Sequence, residues 1–97
     1  MIRVSLYGRL LAESNETILI EGNHYFPRAF VRKTILTPSD TTTVCPWKGT
    51  ASYYNAVIEG KVFKDVAWYY PNTISDKAKP IEDYIAFDKS KVDIETM

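Results

Sequence analysis

The sequence predicts an all-β fold of two antiparallel sheets of short strands, with at most one or two short helical turns. Three observations carry this reading. The dominant hydrophobic period is two, turn signals containing Gly, Pro or Asn recur at short intervals, and no segment keeps a 3.6-residue period over the roughly ten residues a helix needs.

Ile2, Val4 and Leu6 alternate with Arg3, Ser5 and Tyr7, which predicts a half-buried first strand. Gly8-Arg9 offers a tight turn into Leu10-Leu11-Ala12, and a second strand follows over residues 17–21. Gly22-Asn23 is the next turn signal. His24-Tyr25-Phe26 suits a short strand that Pro27, lacking an N–H, must end or push to a sheet edge. Residues 28–32 fit one helical turn and residues 33–36 a strand. Thr37-Pro38-Ser39-Asp40 reads as a turn, because Pro presets φ and Ser or Asp can bond the nearby backbone. Residues 51–58 and 62–70 are long β-prone runs rich in Tyr, Val and Trp, joined at Glu59-Gly60-Lys61 as a hairpin. A polar loop over 75–80 precedes closing strands at 84–87 and 91–94.

With 97 residues the chain suits one hydrophobic core, so one domain over 1–97 is expected. Hydrophobic residues make up 45% and charged residues 25%, a globular composition. Twelve basic residues balance twelve acidic ones, so no net field draws the chain to nucleic acid or to an anionic membrane. Every apolar run is far shorter than the roughly 20 residues that span a bilayer. Cys45 is the lone cysteine, so no internal disulfide forms, and with no apolar leader at the start a cytoplasmic location is expected.

The run from Leu36 through Cys45-Pro46-Trp47-Lys48-Gly49-Thr50-Ala51-Ser52-Tyr53-Tyr54 resembles the central signature of a family catalogued as domain of unknown function 427. Ala67-Trp68-Tyr69-Tyr70-Pro71 and Tyr84-Ile85-Ala86-Phe87 extend the likeness, with Ser14, Glu21 and Tyr25-Phe26-Pro27 upstream. The resemblance implies a tent-like pair of antiparallel sheets, similar to some zinc-binding domains and methionine sulfoxide reductases. The family also carries the label nucleotidyltransferase. Such enzymes pair a Gly-Ser turn with aspartates that hold magnesium, and this sequence has no such pair. Structural zinc needs about four N or S ligands, whereas Cys45 and His24 are the only soft ligands here. Neither metal nor cofactor is expected.

Lys48 sits in a turn set by Pro46 and Gly49, where it can bind an anion or carbonyl or stack on an aromatic face; a solvated loop lysine is the plainer account. Trp47, Tyr53, Trp68 and Tyr70 suit a ligand-binding groove and serve equally as core. Tyr53 and Tyr54 must face opposite sides of their strand, as must Trp68 and Tyr69, so one aromatic set points inward and the other is available. Glu21 can accept a hydrogen bond from Lys48, Tyr25 or a ligand. Cys45, without a resolving thiol or an evident base, is expected to be mainly structural. The expected site is therefore Glu21, Tyr25, Trp47, Lys48, Tyr53, Trp68 and Tyr70, binding a small molecule or peptide. The alternative is an interaction module whose edge strands pair with another protein or form a homodimer.

Overall fold

The computed structural model describes residues 1–97. Nine strands run in the order β1 (Ile2–Leu6), β2 (Arg9–Ser14), β3 (Ile18–Ile20), β4 (Asn23–Tyr25), β5 (Leu36–Cys45), β6 (Gly49–Ile58), β7 (Lys61–Tyr69), β8 (Ile85–Phe87) and β9 (Asp93–Thr96). Two 3-10 turns, Arg28–Phe30 and Lys79–Ile81, are the only helical pieces. The fold is all-β.

Hydrogen bonding groups the strands as β2-β1-β9, β3-β4 and β5-β6-β7-β8, with every pairing antiparallel. The small β3-β4 piece does not stand alone. Phe26 and Ile85 exchange two backbone bonds, of 2.8 and 2.9 Å, which join it to the outer side of β8.

Side-chain alternation then gives the extended sheet two faces. Phe26, Ala56, Ile58, Val66, Ile85 and Phe87 enter the main core with Val4, Leu6 and Leu11 of the β2-β1-β9 sheet. Tyr25, Ala51, Tyr70 and Ala86 enter a second, smaller core on the other face, with Ile81 of the second 3-10 turn. Neighbours in sequence such as Tyr25 and Phe26, or Ile85 and Ala86, thus serve different cores.

Three hairpins use a two-residue X-Gly turn with positive φ at both positions: Tyr7-Gly8, Glu21-Gly22 and Glu59-Gly60. This backbone matches the right-handed twist of the flanking strands, and Gly takes its second position without steric cost. The turn predicted at Gly22-Asn23 therefore lies one residue earlier, because Asn23 already pairs with Ile20.

Two further expectations are corrected. Residues 33–35 form a turn rather than a strand, and Thr37-Pro38-Ser39-Asp40 lies inside β5. The pairing of β5 with β6 shifts register between Pro38 and Thr42, so these turn-forming residues make a bulge. A second register shift at Asn55 of β6, opposite Lys64, Asp65 and Val66 of β7, lies beside it. Asp65 fastens the two together, accepting from the hydroxyls of Ser39 and Thr41 while its backbone N–H donates to Asn55 Oδ1 at 2.9 Å.

Candidate functional site

Cys45 of β5 pairs with Gly49 of β6, and Pro46, Trp47 and Lys48 form the turn between them. Gly49 has a φ of 118°, and a Cβ there would lie 2.8 Å from the Asn72 carbonyl oxygen, so no larger residue fits without moving backbone. The loop after β7 clamps this turn from outside. Ile74 N–H donates to the Lys48 carbonyl at 3.3 Å, and Ser75 Oγ donates to that of Trp47 at 2.6 Å. The turn is therefore held at both ends and along its length.

Thus fixed, Lys48 sends its side chain inward and is only 5% exposed. Its ammonium ion pairs with Glu21 and stands 4.7 Å from the Trp47 ring centroid and 5.7 Å from that of Tyr70. Burial works to lower the Lys48 pKa, but the hydrogen bond to Glu21 outweighs it and the net shift is upward. The lysine is a fixed cation. Glu21 is held below the ordinary carboxylate range, chiefly by that hydrogen bond, with the Trp47 indole adding to it. A backbone φ of 53° puts Glu21 at the tip of the β3-β4 hairpin, which carries its carboxylate across to the Cys45–Gly49 turn.

The aromatic residues complete the patch. Trp68 Nε1 donates to Tyr25 Oη at 3.2 Å, and the Trp68 ring lies 6.2 Å from that of Tyr53. Tyr25 and Tyr70 are buried, whereas Tyr53, Trp47 and Trp68 are half-buried. Burial pushes the phenols of Tyr25 and Tyr70 up, so both are neutral hydrogen-bonding groups. All seven expected residues therefore fall in one neighbourhood on the second core's face. The opposite set, Tyr54 and Tyr69, stacks at 5.0 Å beneath the Arg28 guanidinium and closes over the main core.

The whole chain, residues 1–97, matches the family model described as Domain of unknown function (DUF427). The chain belongs to that family. No curated protein matches it.

The hollows of this DUF427 domain flank the Lys48 patch rather than open into it. One of about 550 Å³ is lined by Cys45, Pro46, Gly49 and Thr50 together with Asn72 and Ile74. Another, of about 380 Å³, lies among Trp47, Ser75 and Lys77. Asn72, Ile74 and Ser75 escaped sequence reasoning, since only the fold brings that loop against the turn. No three His, Cys, Asp or Glu side chains gather anywhere, and no helix is long and apolar enough to cross a membrane.

Cys45 is expected from the sequence to be mainly structural. Its thiol is half-buried at the first hollow. Burial works to raise its pKa, but the backbone N–H groups of Trp47 and Lys48 and the Lys48 ammonium outweigh burial and make it more acidic than an ordinary thiol.

Proposed function

We propose that this DUF427 domain is a cytoplasmic binding module for a small molecule or extended peptide, using the patch of Glu21, Tyr25, Trp47, Lys48, Tyr53, Trp68 and Tyr70. One observation carries the reading. Lys48 is a charged residue buried to 5% exposure, in a turn that backbone contacts fix on several sides. Core packing alone does not call for an ammonium there, because a buried ion pair is at best a weak source of stability compared with apolar residues of similar volume. A preorganised cation between aromatic rings instead suits recognition of an anionic or carbonyl group. The lone cysteine fits a reducing compartment.

A second reading has its own support. β5 is a sheet edge ten residues long, and Thr42, Thr43 and Val44 along it are exposed and uncharged. Val44 is 79% exposed. In this reading the edge pairs with a second copy of the chain.

Backbone and indole NMR spectra, recorded while a panel of neutral and anionic fragments is added, separate the two. Binding shifts the Trp47 and Trp68 indole signals and the amides of residues 45–49, and these shifts are lost in Lys48→Ala. Absence of any fragment-induced shift, combined with concentration-dependent changes confined to residues 41–45, would reject the binding module in favour of self-association.

A further inference from the structure

The ion pair at the centre of the patch is unequal. The Lys48 side chain is 6% exposed and that of Glu21 is 57% exposed. A buried ammonium needs an anion beside it, since an unpaired buried charge is strongly destabilising. Nothing in the fold requires that anion to be Glu21, whose carboxylate reaches in from solvent at the end of a flexible side chain.

Lysine offers three N–H donors, and Glu21 Oε1 is the one acceptor to which Lys48 is hydrogen bonded. The rings of Trp47 and Tyr70 lie 4.7 and 5.7 Å from the ammonium, and the Cys45 thiol is a further neighbour. An ammonium covered to this extent, with one oxygen acceptor for three N–H donors, has donor capacity left for a ligand.

The hairpin tip itself is held in place. Lys89 Nζ donates to the Gly22 carbonyl at 3.1 Å, so the Glu21 side chain can turn out to solvent while its backbone stays put. Moving Glu21 aside frees the acceptor position at the Lys48 ammonium, which stands 4.7 Å from the Trp47 ring centroid. A carboxylate suits that ammonium, and the neighbouring rings suit an apolar body attached to it.

We propose that Glu21 stands in for the carboxylate of a small ligand with an aromatic or apolar body, and that the ligand binds by displacing Glu21 from Lys48. This rests on the binding reading above and names its ligand class. Glu21 then acts as a built-in competitor: it keeps the buried cation neutralised in the empty state and sets a threshold that weak carboxylates fail to pass. Neutral ligands gain nothing from the exchange, because they cannot replace the lost charge.

Benzoate and benzamide, alike in shape and different in charge, are suitable probes for calorimetric titration of the full chain and of two variants. Benzoate is expected to bind and benzamide not. Glu21→Gln removes the competing charge at constant side-chain size; it is expected to tighten benzoate binding by about tenfold, the scale of one charge-assisted contact, and to lower the thermal midpoint of the ligand-free domain, whose Lys48 then lacks its counter-ion. Lys48→Met keeps the side-chain volume and is expected to abolish binding. Should Lys48→Met fail to fold, Glu21→Gln carries the test alone. Unchanged or weaker benzoate binding by Glu21→Gln would show that Glu21 assists the ligand, and the displacement proposal would fall. Binding of benzamide but not benzoate would overturn the carboxylate class and leave the binding module standing. If neither probe binds and the fragment panel also produces no shift, the binding module itself is wrong.

Discussion

Cys45 and Lys48 lie three positions apart, and the backbone N–H groups of Trp47 and Lys48 together with the Lys48 ammonium favour the thiolate at Cys45. The sequence alone points to a mainly structural Cys45, for want of a base or a second cysteine. What it could not see was the geometry of the turn. The backbone N–H groups that favour thiolate belong to Trp47 and Lys48, within a chain reversal fixed by Gly49 and the Asn72 loop. The pH–rate profile of alkylation by iodoacetamide checks this directly. Its midpoint is expected below the ordinary thiol value of about 8.5, so that reaction near neutral pH is faster than for a free cysteine. Lys48→Met is expected to move the midpoint up. A midpoint at or above the ordinary value would mean that burial of the thiol wins.

The hairpins were the most legible elements, because each combines period-two alternation with a glycine at a place where positive φ is needed. Glu59-Gly60 is the clearest case. The same backbone at Tyr7 and Glu59 also shows that the positive φ of Glu21 belongs to the turn and is not peculiar to the site. The failure at Thr37-Pro38-Ser39-Asp40 is equally physical. Pro, Ser and Asp lower the cost of leaving a regular ladder, but they do not decide whether the chain then reverses or merely bulges. Here Asp65, distant in sequence, decides for a bulge by accepting two hydroxyl bonds across the sheet. Asp65→Ala is expected to cost about 2 kcal/mol by urea denaturation, on the scale of hydrogen bonds to a charged group. Asp65→Asn should cost less, since Asn tolerates the left-handed φ of 53° and keeps one acceptor. Equal losses in the two variants would assign the stabilisation to the charge itself.

On the scale of the whole molecule, one sheet covered on both faces was not visible in the sequence, which showed alternation within each strand but not which strands share a sheet. The bridge from Phe26 to Ile85 and the pairing of β1 with β9 join residues far apart in the chain, and no local signal marks either. The charges spread over this frame have a common sign of effect in acid. The carboxyls of Glu21, Asp65, Glu82 and Asp88 all lie below their ordinary values. Glu82, held by the Thr73 hydroxyl and N–H and by Lys79, is lowered from 4.5 to about 2. A depressed folded pKa contributes stability above the unfolded value, and that contribution is lost as pH falls from 4.5 through about 2. The urea midpoint should therefore drop over this interval, and drop less steeply in Glu82→Gln. The placement of the central ion pair has an evolutionary consequence as well. Lys48 is enclosed by rings and clamped backbone, so replacing it disturbs packing on every side, whereas Glu21 stands at a hairpin tip where a new side chain meets mostly water. Exchange between acids of different reach at the tip can thus alter which partners the cation accepts, while loss of the acid leaves the ammonium without its counter-ion, so that selectivity and foldedness meet at this one exposed position.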